Sequence, residues 1–217
     1  MELRRAVSNN SLVLGLFALL TTAAIAATYL GTRDAIAAQE KAARAKALLQ
    51  IVPADTHDNS MLDDTLPVSD ERLLRLPDTA SIFVARQQGE ASAFIIPSVA
   101  PDGYSGAISL LTGVNRDGSV AGVRVVAHSE TPGLGDKVDL KKSDWILGFN
   151  GRSLSDPAAE KWTVRKDGGE VDQFTGATIT PRAVIQAVQK TLIYYQQHQQ
   201  ALLAQTGPVA TEAQDHD

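Results

Sequence analysis

The 217-residue chain has no cysteine, and that absence removes a block of chemistry. Disulfides, thiolate zinc sites, iron–sulfur ligation and cysteine nucleophiles are all excluded. Histidine is scarce as well. His57, His128, His198 and His216 are the only four, and no two are close enough in sequence to form a local metal motif. Basic clusters are missing, and the net charge is −5, so phosphate-backbone binding to nucleic acid is not expected. No internal repeat occurs, and no segment has the spacing of a dinucleotide-binding or P-loop glycine motif.

Charge of either sign is absent from Ala6 to Thr32. Within that stretch, Ser11–Leu30 reads SLVLGLFALLTTAAIAATYL. Such a run is long enough, as a helix, to cross about 30 Å of hydrocarbon. Arg4 and Arg5 precede it, and Tyr29 lies near its far end, where an aromatic anchors at an interface. Two readings stand: an uncleaved signal anchor, or a secretory peptide cleaved after Ala24-Ile25-Ala26. Arg33, Lys41, Arg44 and Lys46 follow the span, so the positive-inside count does not orient it. Either way the remainder is expected to be exported. Residues 1–33 hold three Arg and one Glu, so that remainder carries −7.

Asp34–Val52 is alanine-rich, with Glu40 and Arg44 at helical i,i+4 spacing, and reads as a solvated helical stalk ended by Pro53. Ala54–Asp70, with Pro67, reads as a loop. Strand signals follow. Ser81–Arg86 and Ser92–Ile96 form one expected hairpin, and Ala107–Val114 and Val120–His128 form another around Asp117-Gly118. Trp162–Arg165 and Glu170–Asp172 suggest a third. A short helix is expected at Lys141–Phe149. A long one is expected from Pro181, with Val184, Ile185, Val188, Leu192 and Tyr195 on its core face. The expected class is α+β: one N-terminal transmembrane helix, then a single domain with antiparallel hairpins and a long C-terminal helix. Expected boundaries are a cytoplasmic N-terminus and anchor at 1–33, stalk and loop at 34–80, the domain at 81–205 and a disordered tail at 206–217.

Three glycine-containing loops remain: Asp102–Gly106, Glu130–Gly135 and Phe174–Thr180. Taken singly, each reads as a turn. The third also leads into the last helix, with Thr180 as the expected N-cap and Pro181 at the first helical position. Free N–H groups and the macrodipole there favour an anion such as phosphate. Simple capping by Thr180 is the competing reading.

Asp172–Thr180 reads DQFTGATIT and fits D-x-x-[ST]-G-A-T-x-[ST]. It resembles the flavinylation motif of FMN-binding domains. His128–Gly135 reads HSETPGLG and is similar to the H-x-E-T-P-G-L-G segment of the same family. With the N-terminal span, the stalk and the C-terminal helix, the whole chain resembles the G subunits of Rnf (Rsx) electron-transport complexes. C subunits of sodium-translocating NADH:quinone reductases share the motif and form an alternative. A secreted, non-redox binding domain is another.

The resemblance implies FMN bound covalently through a phosphoester on Thr180. It places Thr175, Gly176, Ala177 and Thr178 around the phosphate and ribityl chain. Glu130, Thr131, Gly133, Leu134 and Gly135 then wrap the ring or its edge, with Glu130 bonding either the cofactor or neighbouring backbone, His128 steadying their loop (a proton-donor role being the lesser reading) and Asp172 serving the modifying enzyme. Tyr104 and Trp145 are ring-stacking candidates whose bland role is core packing. No catalytic residue, metal or independent turnover is implied. The expected role is an electron relay within an ion-translocating complex of the bacterial inner membrane, its single-pass anchor holding the domain in the periplasm. Implied partners are the other Rnf/Rsx subunits, the membrane and a magnesium-dependent flavin transferase that uses FAD.

Overall fold

A computed structural model describes residues 2–207. The expected tail lies, from residue 208 on, outside the described residues. Two units divide the chain, Met1–Arg44 and Ala45–Asp217.

Helix α1 spans Glu2–Ile51, running unbroken from the apolar segment through the stalk. Leu12, Phe17, Ile25 and Tyr29 are all exposed. The Thr21, Thr28 and Thr32 hydroxyls donate back to the carbonyls of Phe17, Ala24 and Thr28 at 2.8–2.9 Å. They therefore need no water. This helix is long and apolar enough to cross a membrane.

The second unit is built on a five-stranded antiparallel sheet, β1 (Thr65–Val68), β2 (Ala80–Gln87), β3 (Glu90–Ala100), β4 (Ile108–Asn115) and β5 (Val120–Ala127), in sequence order. Both strong hairpin expectations hold. Gln88 and Gly89 take φ of 55° and 81°, the paired left-handed geometry of a two-residue hairpin turn. At the β4–β5 turn, Asp117 Oδ1 accepts from the Ser119 backbone N–H and hydroxyl.

Several expectations fail. The 54–70 loop contains β1, because its Pro67 sits on an edge strand, where a missing N–H is tolerated. Likewise, β3 does not stop at Ile96 but continues through Pro97. The Val99 N–H donates to Leu74 O, away from β4. By two-residue alternation the Pro97 nitrogen faces that side too, beyond the last β2–β3 pair at Phe83–Ile95, so the β4 ladder is intact. The third hairpin does not form. Val164 and Val171 make one parallel bridge, with a 3₁₀ turn at Ala159–Lys161 before it and another at Arg165–Asp167 inside it. Trp162 and Val164 are sunk in the core instead, and the Trp162 indole donates to Ser153 O and Pro157 O. The expected 141–149 helix is a 3₁₀ segment, Asp144–Phe149, capped by the Ser143 hydroxyl.

Helix α2 spans Ile179–Gln205. Val184, Ile185, Val188, Leu192 and Tyr195 are buried together with Val84, Phe94, Ile96, Leu110 and Val123 of the sheet. The other sheet face is covered too. Leu48, Ile51 and Val52 pack with Phe83, Ala85, Ala93, Ile95 and Leu111. The end of the stalk is thus part of a core rather than solvated. Gly113 and Gly122, paired across β4 and β5, make the room: a methyl on Gly113 would stand 2.2 Å from Ile51 Cγ2.

Candidate flavin site

The three glycine loops meet at one side chain. Glu130 is 4% exposed, and each of its carboxylate oxygens has a partner from a different loop. Oε1 accepts from the Ser105 N–H at 2.9 Å, and Oε2 accepts from the Thr180 hydroxyl at 2.5 Å. Thr180 itself is fully buried. Burying a carboxylate is costly unless it is hydrogen-bonded, and these two donors supply that.

Glycine allows the close approach on both sides. A methyl on Gly135 would lie 2.7 Å from Glu130 Oε2 and 2.8 Å from Thr180 Oγ1. One on Gly103 would lie 2.2 Å from Gly106 O and 2.9 Å from Glu130 Oε1. The 130–135 loop is held from within. The Thr131 carbonyl accepts N–H bonds from Leu134, Gly135 and Asp136, and Gly133, at φ 79°, donates to Asp136 Oδ1 at 2.7 Å. His128 Nδ1 accepts the Glu130 N–H at 3.1 Å. Asp136, 7% exposed, is a residue that the motifs do not mark. Its signal was an acidic side chain three residues after a glycine, the spacing of a local turn bond.

Thr180 is not the N-cap. The cap is Thr178, without a side-chain bond, and Ile179, Thr180 and Pro181 are the first three helical residues. Proline is tolerated there because the first four N–H groups of a helix have no intrahelical partner. Boundary assignments shift by a residue or two, but the consequence is physical: the Thr180 hydroxyl is turned inward to Glu130 rather than capping. The α2 start is further pinned by Arg182, whose guanidinium grips Asp167 at 2.6 and 2.8 Å. That hydrogen-bonded pairing holds the Asp167 carboxyl below its usual range.

Thr175 and Gly176 are exposed, Ala177 and Thr178 half-buried. Gly176 has φ 80°, and a methyl there would meet only Leu134 Cδ2, at 3.6 Å. Trp145 is not free to stack. Its ring lies 5.0 Å from Phe174 and 5.3 Å from Phe149, and its indole donates to Asp172 O at 2.7 Å. It fixes the start of the motif. Tyr104 is 68% exposed and has no part in the core. Asp172 pairs on the surface with Arg165 at 2.9 Å.

Each of the three converging loops carries a large exposed apolar side chain: Tyr104, Leu134 and Ile179. Helix N–H groups and an open glycine fit a phosphate, and the buried Thr180 hydroxyl is reached once the Glu130–Gly135 loop shifts. The apolar side chains fit a planar ring.

Two family models match the chain, an FMN-binding domain over residues 103–193 and an RnfG N-terminal region over residues 1–51. The G subunit of the ion-translocating oxidoreductase complex from Pseudomonas aeruginosa strain UCBPP-PA14 is 50% identical over 201 residues, 93% of this chain and 94% of that protein. The chain belongs to the G-subunit family of ion-translocating oxidoreductase complexes. The corresponding G subunit from Vibrio atlanticus is 47% identical over 92% of this chain and 95% of its own length. The crystal structure of Shewanella oneidensis NqrC matches with a TM-score of 0.48 at 23% identity, covering 70% of this chain and 77% of that one. Within this G-subunit chain, the glycines and side chains that converge on Glu130 all lie in the matched FMN-binding domain.

Proposed function

We propose that Thr180 carries FMN through a phosphoester and that the loaded domain relays electrons between subunits of an Rnf complex. The observation that carries this reading is the Thr180 hydroxyl, buried on Glu130 at the N-terminus of α2, inside the matched FMN-binding domain. The bound isoalloxazine supplies the electron chemistry, and the protein supplies attachment and orientation. Thr180 provides the ester oxygen. The first-turn N–H groups of α2 would stabilise the phosphate charge, by about 0.3–1 kcal/mol through the helix dipole. Gly176 leaves space beside the linkage, with Thr175, Ala177 and Thr178 along the ribityl chain. Leu134, Ile179 and Tyr104 would shield the ring from water. Trp145, through Phe174 and the Asp172 carbonyl, holds the motif in place.

In the same reading, α1 is a single-pass anchor in the bacterial inner membrane, with the domain on the periplasmic side. A covalent tether suits that side, where free flavin is not replenished from the cytoplasm. Maturation takes a magnesium-dependent flavin transferase with FAD as donor. The test is to produce the full chain with such a transferase and view a denaturing gel under ultraviolet light. A fluorescent band that goes dark in Thr180→Val supports the proposal. A dark wild-type band refutes it and favours a non-redox binding domain. The intact mass of the same sample decides between anchor and cleaved leader.

A further inference from the structure

Glu130 is buried, ionisable and aimed at the one hydroxyl that the attachment reaction must use. A purely structural role does not require a carboxylate there, since an amide could accept the Ser105 N–H through its oxygen and donate to the Thr180 hydroxyl through its NH2, at lower desolvation cost. Building on the Thr180 assignment, we propose that Glu130 is the general base of flavin attachment, a catalytic residue that this subunit contributes to its own modification.

Thr180 Oγ1 attacks the phosphorus on the FMN side of the FAD pyrophosphate. The new bond is Oγ1–P, and the bond broken is the P–O bond to AMP, which departs with the bridging oxygen. The hydroxyl proton passes along the existing hydrogen bond to Glu130 Oε2. No electrons change hands, and FAD is the only co-substrate. Phosphoryl-type transfers to hydroxyls commonly use an acidic side chain in this way, the carboxylate accepting the proton as the oxygen–phosphorus bond forms.

The remaining contacts of Glu130 suit the role. The Ser105 N–H on Oε1 and the His128 ring on the Glu130 N–H fix the carboxylate, so that Oε2 stays on the hydroxyl. After transfer the ester oxygen has no proton, and a carboxylate facing it would be repelled by the phosphodiester charge. The protonated carboxyl avoids this by donating back to the ester oxygen. Gly135 lies against both groups and Thr180 is fully buried, so the 131–135 segment must move aside to admit the donor.

The test follows attachment itself. Full-length wild type, Glu130→Gln and Glu130→Asp are incubated with purified transferase, magnesium and FAD, and the flavin mass increment is timed between acid and neutral pH. The expected result is a wild-type rate that falls toward acid pH. Glu130→Gln should be slower by on the order of 10²–10⁴-fold, without that acid limb, and Glu130→Asp intermediate with the limb retained. Glu130→Gln labelled at the wild-type rate overturns the proposal. So does a slowed Glu130→Gln whose pH profile keeps the wild-type shape, because a folding or positioning defect lowers the rate at every pH alike. A wild type that gains no flavin mass overturns the Thr180 assignment and this inference together, which separates the two failures.

Discussion

Replacing Gly135 by alanine tests whether the Glu130–Thr180 contact organises the site. The added methyl would stand 2.7 Å from Glu130 Oε2, 2.8 Å from Thr180 Oγ1 and 3.1 Å from Glu130 Cβ. All three are closer than ordinary contact, and the region is buried, so something must yield. If the loop backbone shifts, the cost is that of overpacking, about 1–3 kcal/mol. If Glu130 rotates away, a hydrogen bond to a charged group is lost, about 1.5–3 kcal/mol. Either route gives a destabilisation of roughly 1–3 kcal/mol, or about 3–10 °C in Tm at this domain size. Gly148→Ala is the control, since nothing lies within 4 Å of its added methyl and its φ is not positive. It should stay within about 0.5 kcal/mol of wild type. Thermal unfolding of the full chain in detergent, followed by circular dichroism, measures both. Combining Gly135→Ala with Glu130→Ala removes the contact at Oε2 and frees Thr180 to turn away, so the alanine at 135 should cost less in that background. Equal melting of Gly135→Ala and wild type, or an undiminished cost beside Glu130→Ala, would refute the close-packed site.

Other expectations are equally checkable. Arg86 donates to Asp64 at 2.6 Å and to Thr206 O at 2.9 Å, tying β2 to the end of α2, so Arg86→Met should cost about 3–5 kcal/mol by chemical denaturation. Leu48→Ala should cost about 2–5 kcal/mol, because the last turn of α1 is core rather than stalk; a loss under about 1 kcal/mol would show that this turn is solvated after all. Asp117 is held below its usual range by the Ser119 hydroxyl and N–H bonds. A depressed carboxyl contributes stability that is present above its unfolded pKa of about 3.9 and lost as pH falls through the folded value. Asp117→Ala should therefore narrow its Tm gap to wild type as pH drops from about 5 toward 2, the range around that value.

Local chemistry made much of the fold legible in the sequence. The Gln88-Gly89 and Asp117-Gly118 turns, the alternating strands and the α2 stripe each carry their own signal. Where distant residues decide, that signal is missing. Pro67 and Pro97 look like strand breakers until the sheet shows which side each nitrogen faces. Trp162 and Val164 look like a strand, yet the core takes them singly. At the candidate site, the motifs marked two of the three loops that meet at Glu130 but said nothing of how Glu130 and Thr180 face each other, 50 residues apart. Only the tertiary fold shows that three ordinary turns share one carboxylate, and it moves Thr180 from cap to second helical residue.

The exposed apolar side chains around this carboxylate permit a separation that buried residues do not. Tyr104 is 68% exposed, Ile179 46% and Leu134 43%, so little of their surface contributes to folding in the free domain. Polar replacements there should leave stability within about 0.5 kcal/mol. If instead they cover a bound ring, each should add apolar contact worth about 25 cal/mol per Å² only after flavin is attached. Tyr104→Ser, Leu134→Ser and Ile179→Ser should then melt with wild type when flavin-free. When loaded they should melt lower than loaded wild type, and iodide should quench their flavin fluorescence more strongly. Loss of stability in the flavin-free chain would make these residues structural. Unchanged quenching in all three would place the ring elsewhere on the domain, leaving Thr180 as a tether without a pocket.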